Sequence, residues 1–228
     1  MIPKCGNTAF LMGIYGNNLG SGDGGGWCVP TDEMIRSYEA GDKRLSASIA
    51  VGEGHFESEV FYCDEVKDVD GYVPSTEKAV CYWVRKYYHP PYKYSRRAGD
   101  NFPIYRYGGA LLLLAECLVD QGKNAEALPY INQVRARAGL SALTSVTAED
   151  VEKEMRHELA FENHRWTDLI RRGKAVEVMT AFGATMKATH TWLSAYSDAF
   201  QVTENKLIYA FPQREIDVNN LLEQNPGY

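Results

Sequence analysis

The stretch that decides the fold runs from residue 105 to residue 173 and contains three segments with helical periodicity. They read YRYGGALLLLAECLVDQG (105–122), NAEALPYINQVRARAG (124–139) and EMRHELAFENHRWTDLIRRG (154–173). Apolar residues recur at three- and four-residue intervals in these segments, which is the spacing of one face of an α-helix. The rest of the chain is richer in glycine and tyrosine, and we expect it to pack against this helical scaffold.

The first two segments predict an antiparallel helix pair joined by a tight turn at Gly122. The predicted core stripes are Leu111, Leu114, Ala115 and Leu118 on the first helix, and Ala127, Ile131, Val134 and Ala138 on the second. Cys117 is interpreted as a further core residue, and Asn124 is expected to cap the second helix, which Gly139 closes. Lys123, Arg135 and Arg137 are expected to stay in water. Such a pair is similar to a tetratricopeptide repeat, although Pro129 departs from a regular helix, and a single repeat leaves apolar surface that other residues must cover.

The third segment predicts a long helix from Thr147 to Arg172, with Glu149 and Asp150 in its first turn. Its HELAF sequence does not complete a zinc-binding HExxH motif, because Phe161 stands where the second histidine is needed.

Three glutamates, Glu154, Glu158 and Glu162, rise along one stripe of this helix. They suit either a pair of catalytic carboxylates for glycan hydrolysis or a set of structural ion pairs. The second interpretation is preferred, with Arg156, Arg165 and the arginines at the end of the helix as expected partners, because no activated nucleophile accompanies the glutamates.

Residues upstream of this scaffold predict smaller elements. The stretch PTDEMIRSYEAGDKRL (30–45) predicts a short helix that Thr31 caps, and β-prone stretches at 46–51, 60–63 and 79–84 predict a small, irregular sheet.

The glycine-rich stretch NNLGSGDGGGWC (17–28) predicts a loop, and it lacks the lysine and spacing of a phosphate-binding loop. Trp27 at its end is either a core residue or an exposed stacking surface.

Aromatic and basic residues alternate in WVRKYYHPPYKYSRR (83–97). Packing of its tyrosines (Tyr87, Tyr88 and Tyr92) against the helices is the first interpretation, contact with sugars the second, and nucleic-acid binding a distant third.

Composition excludes several functional classes. The formal net charge of −6 argues against nucleic-acid binding, which needs a basic surface. No apolar run approaches the roughly 18 residues of a membrane span. The five cysteines form no CxxC pair, so neither a zinc site nor any other metal or cofactor is expected.

Four stretches, taken together, resemble the C-terminal half of the SusD/RagB family of outer-membrane nutrient-binding lipoproteins. They are PTDEMIRSYEAGDKRL (30–45), RYGGALLLLAECLVDQGKNAEALPYINQVRARAGL (106–140), RHELAFENHRWTDLIRRG (156–173) and FPQREIDVNNLLEQNPGY (211–228). The resemblance implies a mainly α fold: a tetratricopeptide-like helical hairpin plus a long helix, with a loop-rich region that contains a few short strands. It places the loop-rich, ligand-facing region at 1–100 and the helical scaffold at 101–228, together half of one domain.

The resemblance also implies a function. Members of this family bind glycans or other nutrients at the cell surface, cap a TonB-dependent barrel of the SusC type, and are not enzymes. The implied location is the outer membrane, reached through a lipid anchor that we expect to lie outside this chain, because no apolar signal region precedes Cys5.

The family offers no general ligand motif, so residue type and loop placement select the candidate binding residues. They are Trp27, Tyr15, Tyr72 and Trp192. Two other functions stay open at this point: a tetratricopeptide-type scaffold for protein interactions, and a glycan hydrolase that uses the glutamate stripe.

Overall fold

The computed structural model describes residues 29–57, 60–87, 103–196 and 198–228. Its contacts separate the chain into two compact units that meet in sequence between Asn163 and His164. The predicted boundary at residue 100, which follows composition and resemblance, stays a prediction.

The described part of the first unit opens with two short helices, where the sequence predicted a single one. Helix α1 covers Asp32–Ser37 and helix α2 covers Arg44–Ser48. Thr31 caps α1 as predicted, because its side-chain oxygen accepts a hydrogen bond from the Met34 amide at 3.2 Å. The helix stops at Tyr38, whose backbone is extended, and Gly41 with φ +80° turns the chain toward α2.

A three-stranded antiparallel sheet follows, as the β-prone stretches predicted. Its strands are β1 (Ile49–Glu57), β2 (Val60–Asp68) and β3 (Ala79–Val84), and β1 lies in the centre. The pairing of β1 with β2 shifts by one residue between Glu53 and Gly54. At this bulge an added Cβ on Gly54 would lie 1.8 Å from the Tyr62 carbonyl oxygen, so only glycine fits.

Both faces of the sheet carry apolar side chains, so both contribute to a core. Trp83, Cys63 and Ala50 belong to one cluster, whereas Ile49 and Val51 belong to another. The second cluster also contains Tyr38 from the end of α1 and Phe161 from the helical scaffold. The sheet is therefore packed into the first unit and is not a separate appendage.

The helical scaffold of the first unit contains α3 (Tyr107–Asp120), α4 (Asn124–Ala138) and α5 (Ala148–Glu158). These helices share one core, and α5 supplies the cover that a single helix pair needs. The buried members of this core are Leu111, Leu112, Ala115, Ala127, Ile131, Val134, Val146, Val151, Met155 and Leu159. The stripe predicted for α4 is confirmed, and Gly139 with φ +83° ends that helix as predicted.

Several side chains of the hairpin depart from the prediction. Leu114 and Cys117 are exposed, because α3 presents Leu112 to the core in their place. Asn124 does not cap α4, since its amide instead donates to the Val146 carbonyl at 2.8 Å. Arg135, expected in water, is 5 % exposed because it lies among carboxylates.

The third helical segment begins where predicted and is then interrupted. Thr147 and Asp150 form a reciprocal capping box at the start of α5. The helix ends at Glu158, and the next helix, α6 (Arg165–Arg171), begins after a turn. Phe161 and Asn163 adopt left-handed backbone conformations in that turn, at φ 64° and 63°. Residues without glycine's freedom adopt this conformation only where surrounding contacts hold it.

In the described residues, the second unit consists of one 15-residue helix together with shorter helices and turns. It contains α6, α7 (Ala175–Thr189), two 3-10 turns (Thr191–Ala195 and Glu204–Leu207) and α8 (Gln213–Val218). The mainly α class with a few short strands is therefore confirmed. No helix in the described parts of the chain is both long and apolar enough to cross a membrane.

Candidate functional site

The glutamate stripe is the first candidate site, and the structure places it inside the first unit. Glu154, Glu158 and Glu162 are all 3 % exposed or less. Glu154 accepts hydrogen bonds from Arg44 at 2.5 Å and from Arg135 at 3.1 Å. The three carboxylates are therefore shielded from water, and their partners decide what they can do.

Glu158 has the largest set of cationic partners in this cluster. Its carboxylate accepts hydrogen bonds from Arg137 at 2.6 and 2.8 Å and from Arg44 at 3.3 Å, and Arg106 binds it as well. Burial alone would raise the pKa of Glu158, but the hydrogen bonds and charges of Arg106 and Arg137 outweigh burial and hold the pKa below its usual range. This carboxyl group is thus ionised and occupied, which does not suit a general acid.

Glu162 is held in the same manner at the turn that follows α5. Arg106 donates to it at 2.8 and 3.0 Å, and the Lys86 ammonium group forms an ion pair with it. Lys86 also donates to the carbonyls of Glu158 and Ala160, both at 3.1 Å. Tyr87, predicted to pack against the helices, is 5 % exposed, and its hydroxyl donates to the Phe161 carbonyl at 3.1 Å. These contacts explain why the chain leaves helical geometry here.

The structural interpretation of the glutamates is supported, and the cations that hold them include residues that the sequence did not predict as partners. Arg156 pairs with Glu33, and the cations that reach the glutamates come from other parts of the chain: Arg44, Lys86, Arg106, Arg135 and Arg137. Asp42 and Glu39 bind Arg44 and Arg135 from the other side. We call these ten residues the charge cluster, and it joins the segment before the sheet to α4 and α5.

An exposed aromatic group in the second unit is the second candidate site. Trp192 lies on the 3-10 turn after α7 and is 63 % exposed, whereas its neighbour Leu193 is 6 % exposed and anchors the turn. Tyr196 is also largely exposed, and its ring lies nearly perpendicular to the indole at 83°, with centroids 6.3 Å apart. The His190 ring lies 6.3 Å from the indole on a tilted plane. We call these three side chains the aromatic corner.

The aromatic corner combines apolar faces with polar groups. Two rings set at a right angle offer two apolar surfaces, and the Tyr196 hydroxyl and the His190 imidazole supply hydrogen-bonding groups beside them. This arrangement suits a ligand with an apolar face and a polar rim. The sequence predicted Trp192 but not His190 or Tyr196, although all three aromatic rings lie within the stretch HTWLSAY (190–196).

Tyr72, another predicted binding residue, lies in the first unit. It is partly buried, and its hydroxyl donates to the Glu53 carboxylate at 2.8 Å. Lys67 and Lys78 approach the same carboxylate at 2.8 and 3.5 Å. The Lys67 hydrogen bond lowers the pKa of Glu53, while burial and the Glu53 contact raise that of Tyr72. The hydroxyl of Tyr72 is thus engaged within the protein, and its role in ligand binding stays a prediction.

The remaining predicted binding residues, Trp27 and Tyr15, lie outside the described residues. Trp192 and Tyr72 belong to different units, so each is described with its own neighbours. Within the described ranges, no group of three or more His, Cys, Asp or Glu side chains is placed to hold a metal ion.

Comparisons with known proteins now add to this geometry. The model of the SusD family matches residues 11–228. A relative, the SusD-like protein P38 of Formosa agariphila, is 32 % identical over 141 residues, which cover 56 % of this chain and 25 % of the relative.

Solved structures agree on the fold. Surface glycan-binding protein A from Bacteroides uniformis is 26 % identical with a TM-score of 0.66, over 96 % of this chain and 46 % of that one. A SusD-like protein from Bacteroides fragilis is 22 % identical with a TM-score of 0.69, over 97 % of this chain and 51 % of that one. The chain therefore spans about half the length of these structures. Because the family match covers nearly all of the sequence, this chain belongs to the SusD family.

Proposed function

We propose that this protein binds glycans at the surface of the bacterial outer membrane and passes them to a TonB-dependent transporter of the SusC type. The observation that carries the proposal is the aromatic corner, whose Trp192 is 63 % exposed and perpendicular to Tyr196. Family membership supports it, as does the likeness to a structure named as a surface glycan-binding protein. That likeness covers 46 % of the named structure, so ligand and partner both belong to the proposal.

The chemistry of sugars suits this corner. One face of a pyranose ring presents C–H groups, which stack on an indole, while the hydroxyl groups at the rim need hydrogen-bond partners. In the corner, Trp192 supplies the stacking face, Tyr196 a second apolar wall, and His190 a polar group beside them. Because Trp192 and Tyr196 already contact each other edge to face, binding requires less ordering of these side chains than it would for two separate exposed rings.

Calorimetry with a panel of neutral and acidic oligosaccharides tests the proposal. Trp192→Ala is expected to lower the affinity for any glycan that binds by about tenfold or more, since a stacked ring at the centre of a site contributes roughly 2 kcal/mol. Trp192→Phe keeps a smaller stacking face and should recover part of that affinity. The matched control is Tyr209→Ala, which removes another exposed aromatic ring of the second unit and should leave affinity unchanged.

Two results would contradict the glycan proposal. One is a complete absence of binding across the panel by a folded protein. The other is a glycan that binds wild type and Trp192→Ala equally well, which would move the site away from the aromatic corner.

The transporter partnership and the outer-membrane location rest on the family resemblance. Co-purification of the protein with a SusC-type barrel from the same organism would support the partnership, and its absence in a mild detergent would count against it. The location is tested by protease accessibility of the protein on intact cells.

The protein is further proposed to bind its ligand without altering it. The carboxylates that suggested hydrolysis are held by arginines and lysine inside the charge cluster, and Glu158 in particular stays ionised. Release of reducing sugar from a bound glycan by the purified wild-type protein would overturn this part of the proposal.

A second candidate function is a scaffold for protein interactions, and one observation favours it. On α3, Tyr107, Leu113 and Leu114 are 69, 37 and 43 % exposed, on the side away from the shared core. A helix that is apolar on both sides is normally covered. Binding of amphipathic-helix peptides that is lost on Leu113→Lys but kept on Trp192→Ala would support this function over the first.

A further inference from the structure

Helix α1, Asp32–Ser37, is a small element that depends on its neighbours. It has six residues, and none of them is buried. A helix this short has no stability of its own in water. Its position must therefore come from contacts with other elements, and α5 supplies a compact group of them.

The contacts between α1 and α5 centre on His157. The Ser37 hydroxyl lies 3.0 Å from His157 Nε2, and the Tyr38 ring stacks on the imidazole with centroids 4.3 Å apart and planes 21° apart. His157 is 1 % exposed. An ion pair between Glu33 and Arg156 adds a contact nearer the surface. We call residues 31–38 the clasp.

The charged and titratable groups around His157 are mainly cationic or already engaged. Those with an electrostatic influence on the ring are Lys153 and Arg156 from α5, and Asp42 and Arg44 from the segment that follows the clasp. Tyr38 of the clasp covers one ring face, and the α5 carboxylates Glu154 and Glu158 are bound by arginines. Asp42, the remaining anion, is bound by Arg44 at 2.7 Å.

We propose that the clasp is released from α5 in mild acid and that protonation of His157 is the trigger. A proton on this ring places a positive charge in a buried position beside Arg44, with the nearby carboxylates already used. Opening of the clasp exposes the ring to water, where the charged form is stable. Burial, and next the Arg44 charge, accordingly lower the pKa of His157 from 6.5 to about 4.

The pH window follows from the direction of that shift. A group whose pKa is lower in the closed state than in the open state binds protons preferentially to the open state. The clasp is fully stable above pH 6.5 and loses stability as the pH falls toward 4. Below pH 4 both states bind the proton, so His157 adds no further change.

Hydrogen exchange of the 228-residue chain at pH 7 and pH 5, corrected for intrinsic rates, tests the proposal. Amides of α1 should lose roughly twentyfold in protection, as calculated from a pKa of 6.5 in the open state and about 4 in the closed state. Amides of α4 should change much less. His157→Phe keeps a ring on Tyr38 and should abolish the pH dependence, whereas the control His55→Phe, at an exposed histidine, should preserve it.

The proposal is overturned if His157→Phe still loses protection in α1 at pH 5, or if α1 and α4 of the wild type lose protection together. Should His157→Phe fail to fold, an NMR titration of the wild-type His157 ring decides. An apparent pKa of the His157 ring below 5 supports the proposal, and a value near 6.5 overturns it.

Discussion

The charge cluster of the first unit and the aromatic corner of the second differ in how far their side chains are buried and bound by other residues of the protein. In the cluster, Glu158 is 1 % exposed and is surrounded by arginines from three segments. In the corner, Trp192 and Tyr196 are 63 and 61 % exposed. Charged residues in a sequence attract a catalytic interpretation, yet the binding surface that we propose lies where large rings stay open to solvent.

The largest expected effect tests the cluster side of this comparison. Glu158→Gln should lower the free energy of unfolding by about 3–5 kcal/mol, because it removes the negative charge of a buried carboxylate that binds Arg44, Arg106 and Arg137. Urea denaturation measures the change. Glu149→Gln, an exposed glutamate in the first turn of the same helix, is the control and should cost about 1 kcal/mol or less. If both variants lost the same free energy of unfolding, the buried, arginine-bound Glu158 would contribute no more to stability than the exposed Glu149.

A second prediction applies the comparison to the two sides of α3. Leu112 is fully buried and Leu114 is 43 % exposed. Leu112→Ala should cost about 2–4 kcal/mol through lost packing and the cavity left behind, while Leu114→Ala should stay within about 0.5 kcal/mol. Thermal or urea unfolding of both variants measures the difference. A cost for Leu114→Ala that equals the cost for Leu112→Ala would mean that both sides of α3 are covered in solution.

A third prediction concerns how stability depends on pH below about 4.5, where Glu39 becomes protonated. Arg135 hydrogen bonds lower the pKa of Glu39 to about 2 from 4.5. Because the folded pKa is depressed, the stabilisation is complete above pH 4.5 and is lost as the pH falls toward 2. The Glu39 side chain is 34 % exposed, so solvent screening limits its contribution to roughly 1–2 kcal/mol.

Unfolding curves of wild type and Glu39→Gln between pH 7 and pH 2 measure this contribution. The two proteins should differ at neutral pH and converge near pH 2. A difference that persists at pH 2 would show that shape, and not charge, makes Glu39 stabilising.

The smallest expected effect on stability belongs to the corner. Trp192→Ala should change the free energy of unfolding by less than about 0.5 kcal/mol, since most of the indole is already in water. Together with the expected loss of glycan affinity, an unchanged stability would show that Trp192 contributes to binding and not to folding. A large loss of stability in Trp192→Ala would instead assign the ring to packing.

Local sequence patterns predicted the structure correctly where the stabilising interaction joins residues that are close in sequence. Thr147 and Asp150 satisfy each other across three positions, and Gly139 supplies the positive φ at the end of α4. The same kind of signal predicted the helix pair, the small sheet and the cap at Thr31. Prediction was weaker on α3, where a run of four leucines leaves two possible core faces, and contacts with α4 and α5 select Leu112 over Leu114.

The charge cluster depended on contacts that no local pattern contains. Glu162 finds Arg106 and Lys86, which lie 56 and 76 positions earlier in the chain, so their charges could not be paired from the sequence. The turn at Phe161 has the same origin, because Tyr87 and Lys86 hold its carbonyls. The sequence by itself thus predicted the helical scaffold and, through four motif stretches, the resemblance to its family. Tertiary structure decided which charges are buried and which rings stay open, because both depend on neighbours that only folding brings together.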